Sequence, residues 1–300
     1  MNDRIVEIAE DGRYLSLYRG FLLISDKDTE LGRVPLDDIS AVILSANQAS
    51  VSKNTLTALA ERNAALISCG KAYLPDSITL PYSGNYESAH RMRNQINAPL
   101  PLCKRIWQAL VQEKIANQAK VLKWRGASKQ AAMLAAMVRR VKSGDPDNME
   151  AQAARQYWPV VLRKGFNRDR LAEDENILFN YCYTVLRSAV ARSVVGAGLL
   201  PALGVHHRSR LNPFSLVDDM MEPYRPLADS VVIETLEGNS GDPELTPEVK
   251  RKLAALLRLD LKTRTGLSPL FEILHSLAYA LVQSYENKQT LLRFGEIILP

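Results

Sequence analysis

The sequence predicts an α+β protein: a small β-rich N-terminal domain followed by a larger all-α C-terminal domain. Three observations carry that expectation. Short runs rich in β-branched and aromatic residues, separated by Gly-containing turn pairs, occupy the first 80 residues. A polar stretch punctuated by Pro75, Pro81, Gly84, Pro99 and Pro101 follows. Beyond it, apolar residues recur at helical spacing almost to the end. The expected organisation is a β-rich domain over residues 1–80, a linker over 81–101 and a helical domain over 102–300.

In chain order, residues 4–8, 14–18 and 21–25 read as strands. The Asp11-Gly12 and Arg19-Gly20 pairs between them read as turns, because Gly accepts the positive φ of a tight hairpin. Residues 41–44 form a short apolar run, expected to be buried. Ser52 is placed to cap a helix that carries Leu56 and Leu59 on one face, and residues 65–68 return as a strand. Past the linker, residues 102–124 carry Ile106, Leu110 and Ile115, and residues 128–142 carry Leu134, Met137, Val138 and Val141. Residues 175–195 hold a long apolar pattern, and 215–236 read as a helix interrupted by Pro223 and Pro226. Helices over 247–259 and 269–287 complete the set.

With 300 residues, 46% hydrophobic and 24% charged, the composition is that of a globular chain and excludes a disordered or collagen-like one. The three cysteines, Cys69, Cys103 and Cys182, form no CxxC pair, which argues against a zinc ribbon or a disulfide scaffold. The first residues are acidic where a signal peptide would be apolar, and the longest uncharged apolar stretch is the 13 residues 193–205. A cytoplasmic protein without membrane association is expected. No GxGxxG, GxxxxGK[ST] or GxSxG motif occurs, so dinucleotide, P-loop and serine-hydrolase chemistry find no support.

The net charge of +5 is unevenly placed. Residues 1–95 sum to −2 and residues 146–300 to −1, whereas residues 96–145 hold 10 basic and 2 acidic side chains, net +8. A basic window of this density is the footprint expected for a phosphate backbone, although it is also compatible with a solvated helical face.

Three motifs in the helical domain could carry chemistry. Asn148 can cap a helix whose first turn contains Glu150, a residue that would by itself only complement the helix dipole. His206 and His207 are adjacent in an arginine-rich loop with Arg208 and Arg210, suited to a phosphate and a metal. In the third motif, Ser215 and Asp218 fit a capping box, while Asp219 and Glu222 project from one helix face and repel each other unless a cation lies between them. Arg225 could instead neutralise Glu222. His275 lies among leucines and reads as a packed histidine. Two carboxylates and an imidazole suit Mg²⁺ or Mn²⁺, and beside a basic window the fitting substrate is a phosphodiester. Residue chemistry thus points to a metal-dependent activity on nucleic acid.

At these motifs the chain resembles a known family, the CRISPR-associated integrases, the endonucleases numbered first among the Cas proteins. The matching stretches are Glu150-Ala-Gln-Ala-Ala-Arg-Gln-Tyr157, Gly204-Val-His-His207 and Asp219-Met-Met-Glu222-Pro-Tyr-Arg225-Pro226. The last resembles the branch that accompanies a single large RNA-guided effector nuclease, the type II systems. The resemblance implies that Glu150, His207 and Glu222 are the catalytic metal ligands, with Asp219 a supporting acid and Arg225 a structural partner of the acids. His207 rather than His206 matches the family register, three residues after the glycine. The resemblance further implies a homodimer formed through the β-rich domain, with two dimers bridged by a small Cas subunit. The complex would act on double-stranded and branched DNA, joining a protospacer to the CRISPR array by attack of its 3′-hydroxyl on repeat phosphodiesters.

Two other readings of the residues stay open: a non-catalytic DNA-binding scaffold, and a repair nuclease acting on branched DNA. Under either DNA-binding reading, Lys120, Lys123 and Arg139, with Arg208 and Arg210, are the expected backbone contacts. Reversing the charge of Lys120, Lys123 and Arg139 together should therefore weaken DNA binding and flatten the slope of log affinity against log salt by about 3. Fluorescence anisotropy over a salt series measures both, and an unchanged slope would identify a merely solvated face.

Overall fold

The computed structural model describes residues 4–27, 29–70, 75–82, 85–163 and 166–299. The chain divides into two compact units, Met1–Tyr86 and Glu87–Pro300.

In the first unit, β1 (Arg4–Ile8), β5 (Ile39–Leu44) and β7 (Ala65–Cys69) run parallel, and β8 (Pro75–Thr79) closes the sheet antiparallel, in the order β1-β5-β7-β8. A second sheet has the order β4-β3-β2-β6, from β4 (Thr29–Pro35), β3 (Phe21–Asp26), β2 (Arg13–Tyr18) and β6 (Ala49–Val51). Arg19 and Gly20 form the two-residue loop between β2 and β3, with φ of 47° and 83°. Positive φ at both positions gives a turn whose twist matches the flanking strands. β5 is buried on both faces, which is why it reads as a continuous apolar run rather than an alternating one. Helix α1 (Lys53–Glu61) begins where Ser52 Oγ accepts the Thr55 amide, the expected cap. Leu59 of α1 joins Val6, Ile8, Leu15, Leu22 and Val42 in one apolar cluster that draws on both sheets.

The second unit is built on α3 (Leu100–Trp124) and α6 (Asn176–Gly196). α6 is buried nearly all round, its polar Asn176, Asn180, Thr184 and Ser188 included. Around them lie α2 (Ser88–Ile96), α4 (Ser128–Val138), α5 (Met149–Val161), α7 (Ser215–Met221), α8 (Arg225–Gly238), α9 (Pro247–Ala254) and α10 (Leu270–Asn287). His275 on α10 packs against Phe271, with ring centroids 4.5 Å apart.

Three features of the helical unit differ from the sequence expectation. The stretch 81–101 is not simply a linker, because it contains α2. Gln95 of that helix donates to the Leu200 and Leu203 carbonyls, and Arg91 to that of Ala197, so side-chain bonds rather than apolar periodicity fasten it to the helical unit. The helical unit also holds a small hairpin of β9 (Asp260–Thr263) and β10 (Gly266–Pro269). The capping box at Ser215 does not form: Ser215 Oγ donates to the Asn212 carbonyl, and Asp218 is drawn to Arg187, 2.8 Å away.

One turn matters for function. The interrupted helix 215–236 breaks into α7, a 3-10 turn (Glu222–Tyr224) and α8. Pro223 and Pro226 have no amide hydrogen, so the turn cannot continue α7 while both fit the start of a new helix. The Pro223 carbonyl accepts from Asn117 Nδ2 of α3 at 2.9 Å.

Because Leu22 is fully buried between the sheets of the first unit, Leu22→Ala should destabilise that unit by about 2–5 kcal/mol, read by chemical denaturation.

Candidate active site

Four segments of the helical unit bring the predicted residues together. Glu150 stands in the first turn of α5. The Asn148 side chain caps that helix by accepting the Ala151 amide, and Asp145 accepts the Met149 and Glu150 amides. The N-terminal amides of α5 are thereby satisfied and Glu150 is free to point elsewhere. Glu222 comes from the proline-broken turn, His207 from the loop before α7, and Asp219 from α7 itself.

The two glutamates meet at one cation, the ammonium of Lys114 on α3. Lys114 Nζ lies 2.6 Å from Glu150 Oε1 and 2.5 Å from Glu222 Oε2. The Glu222 oxygen faces the ammonium without hydrogen-bond alignment, so this contact is a charge pairing rather than a directed bond. Arg225 Nε reaches the other Glu222 oxygen at 2.8 Å, the ion pair foreseen from the sequence. Burial would raise the Glu222 pKa, but Arg225 and Lys114 overcome it and hold the carboxyl down at about 2. Burial likewise works against the Lys114 charge, and Glu222 and Glu150 outweigh it, leaving its pKa above the ordinary lysine value.

His207 is oriented by Asp219. Its Nδ1 lies 2.5 Å from Asp219 Oδ1, and the other Asp219 oxygen accepts the His206 backbone amide at 2.9 Å. With Nδ1–H donated to a buried carboxylate, the imidazole presents Nε2 as its free lone pair. The hydrogen bond to Asp219 raises the His207 pKa, and Glu150 and Glu222 are close enough to add to the effect. His206 is placed differently. Its ring stacks on Trp107, with centroids 4.4 Å apart and planes 3° from parallel, and burial lowers its pKa. Gly204 closes this loop: a Cβ there would stand 2.4 Å from the His207 carbonyl oxygen and 2.9 Å from Asp219 Oδ2. The glycine three residues before His207 therefore has a steric reason.

Asp219 and Glu222, expected to share a cation, do not. Asp219 serves His207, and Glu222 serves Lys114 and Arg225. Among the described residues no group of three His, Cys, Asp or Glu side chains stands assembled as a metal cage. The donor set of two carboxylates and an imidazole nitrogen nevertheless suits a hard divalent cation, and the glutamates already converge on a positive charge. Of the basic residues expected to meet DNA, Lys120, Lys123 and Arg139 line one groove between α3 and α4, while Arg208 and Arg210 are exposed on the histidine loop. Lys120 also pairs with Glu296 at 3.5 Å.

Sequence reasoning missed Lys114 as a site residue, counting it only in the basic window. It also missed a second buried acid, Asp229 of α8, which accepts from Tyr157 at 2.9 Å and Tyr183 at 2.5 Å. Lys114 and Asp229 both line a cleft of about 210 Å³ with Gln118, Trp158, Arg168 and Arg225. The available signal was polar residues (Lys114, Asn117, Gln118) inside the apolar stripe of α3.

Comparison with known proteins gives the family and the fold. Residues 6–245 match the family described as CRISPR associated protein Cas1. The chain is 41% identical over 250 residues to the CRISPR-associated endonuclease Cas1 of Neisseria meningitidis serogroup C (strain 8013), covering 83% of this chain and 82% of that protein. Among solved structures, a casposase bound to integration product superposes with a TM-score of 0.81 at 17% identity, over 97% of this chain and 93% of that one. A Cas1 protein from Thermotoga maritima superposes with a TM-score of 0.77 at 14% identity, over 98% of this chain and all of that one (100%). At such identities the superpositions speak for the fold. Fold and site together define a β-rich unit followed by a helical unit that carries a cluster of acids and an imidazole. The chain belongs to the Cas1 family, as the three motifs led us to expect.

Burial raises the Asp229 carboxyl to about 6, against the hydrogen bonds of Tyr183 and Tyr157 that favour its ionised form. A carboxyl with a folded pKa above its unfolded value stabilises the fold while protonated, below about pH 4, and loses that contribution as pH rises through 6. Asp229→Asn should remove this loss, so the variant's stability relative to wild type should rise by roughly 3 kcal/mol between pH 4 and pH 7. Urea denaturation at the two pH values tests it.

Proposed function

We propose that the chain is a CRISPR adaptation integrase, a metal-dependent DNA endonuclease and transesterase that inserts protospacer DNA into the CRISPR array. The observation that carries this reading is the convergence of Glu150 and Glu222 on a single cation beside a histidine oriented by Asp219. Family membership and the casposase fold support it.

In the proposed reaction the 3′-hydroxyl oxygen of the incoming strand forms a bond to a repeat phosphorus as the bond from that phosphorus to the repeat 3′-oxygen breaks. The hydroxyl loses its proton and the departing oxygen gains one, and the number of phosphodiesters is unchanged. Glu150, Glu222 and His207 Nε2 would hold Mg²⁺ or Mn²⁺, which supplies Lewis-acid activation of the hydroxyl and stabilisation of the departing oxygen. Asp219 keeps the proton of His207 on Nδ1, so Nε2 stays available. Arg225 keeps Glu222 ionised and aimed. The rest of the assembly follows from the same reading: a homodimer through the β-rich unit, and two dimers bridged by a small Cas subunit. A solved Cas6-RT-Cas1–Cas2 complex of the same fold supports that partnership. The large effector nuclease of a type II system is a further proposed partner, and double-stranded and branched DNA the substrates, met in the cytoplasm. No helix among the described residues is long and apolar enough to cross a membrane.

Glu150→Gln, His207→Ala and Glu222→Gln should each reduce Mn²⁺-dependent strand joining on a branched DNA by about a hundredfold or more. His206→Ala should stay within about tenfold of wild type, because its ring packs on Trp107. DNA binding that is indifferent to divalent cation, with no joined or nicked product in any condition, would support a scaffold instead, whereas joining that persists without divalent cation would overturn the metal dependence.

A further inference from the structure

The position of Lys114 bears on how a cation enters this site. We infer that Lys114 is a resident counter-ion of the acidic cluster: it holds Glu150 and Glu222 together in the absence of a divalent cation, and it must withdraw toward Gln118 for one to bind. The inference rests on the reading of Glu150, Glu222 and His207 as the cation ligands.

The Lys114 ammonium touches a carboxylate from each of two elements that are far apart in sequence, at 2.6 and 2.5 Å, and its side chain is only 12% exposed. Arg225 cannot replace it, because the structure pairs Arg225 with Glu222 alone of the two glutamates. Without a cation between them, two carboxylates in this partly buried place would repel each other. A divalent ion held by both glutamates would meet the ammonium at the same point, and two cations cannot share it. With Lys114 and Arg225 in place, the charges of Glu150 and Glu222 are already cancelled, which leaves little net attraction for a third cation.

The cleft supplies a second resting place. Gln118 lies one helical turn beyond Lys114 on α3, so the two side chains share a face. Its Oε1 is buried and has no hydrogen-bond partner, in a residue only 3% exposed. Both residues line the 210 Å³ cleft, with Asp229 on its wall. A lysine ammonium is a compact charge on a flexible four-carbon stem, able to move between neighbouring acceptors where a guanidinium fork is not. An orphaned buried acceptor i+4 from a lysine is what such a displaced ammonium would satisfy.

Mn²⁺ titrations by isothermal calorimetry on the full chain, with melting temperatures with and without Mn²⁺, test the inference. Lys114→Met keeps the apolar stem and removes the charge. It should bind Mn²⁺ roughly tenfold more tightly than wild type, melt lower without the ion, and gain more melting temperature from it. Gln118→Leu, which leaves all three proposed cation ligands in place, should weaken Mn²⁺ binding severalfold by removing the acceptor. A Lys114→Met protein that folds only when Mn²⁺ is present also supports the inference. Equal or weaker Mn²⁺ affinity in folded Lys114→Met overturns it. If Lys114→Met does not fold under any condition, Gln118→Leu decides: weakened binding supports the inference and unchanged affinity overturns it. A failure of the underlying metal-site reading looks different: wild-type Mn²⁺ binding would then survive Glu150→Gln combined with Glu222→Gln.

Discussion

Two carboxylates brought together away from water need a positive charge between them, and the helical unit is arranged around that need. Glu150 and Glu222 arrive from α5 and from the turn after α7, and Lys114 on α3 meets both. α3 is therefore more than a packing element. It brings the lysine, and one turn later Asn117, which holds the Pro223 carbonyl and so fixes the turn that carries Glu222. The two prolines have the same consequence from the other side. A continuous helix through 215–236 would keep Glu222 on a regular face, whereas the break gives it its own short turn with Arg225 beside it. Stability and chemistry are coupled here: the interactions that neutralise the acids are also those that aim them.

The histidine loop obeys a second constraint, that an imidazole must be told which nitrogen keeps its proton. Asp219 does this for His207, and its second oxygen ties down the loop through the His206 amide. Gly204 allows the close approach, and Trp107 occupies the other histidine by stacking. Two adjacent histidines, indistinguishable by type, are thereby given different surroundings: one beside the acids, one in an aromatic stack.

Much of the fold was legible in the sequence where local chemistry and tertiary packing agree. Ser52 caps α1, the Arg19-Gly20 turn joins β2 to β3, and the Pro-interrupted helix breaks near Pro223. Illegible elements were those with little periodic burial. β4 is a mostly exposed strand containing Gly32 and Pro35, and α2 is held by Arg91 and Gln95 rather than by an apolar stripe. Ser215 and Asp218 carried a capping signal, but Arg187, distant in sequence, took Asp218 for an ion pair. The acids and the histidine were visible because each sits in a short motif of its own, Asn148–Glu150, Gly204–His207 and Asp219–Arg225. Lys114 was not, because its role depends on residues 36 and 108 positions away that only the tertiary fold brings near. The +8 window is likewise partly internal: Lys114 is consumed by the acids, and Arg125 pairs with Glu237 at 2.5 Å.

The proposed cation site joins Glu150, Glu222 and His207, with the Lys114 ammonium in the metal's place. Anomalous X-ray scattering at the manganese edge, from crystals grown with Mn²⁺, addresses it most directly. An anomalous peak is expected between the Glu150 and Glu222 carboxylates and next to His207 Nε2, with the Lys114 ammonium moved out from between the glutamates. A peak elsewhere, with Lys114 still bridging both acids, would contradict it.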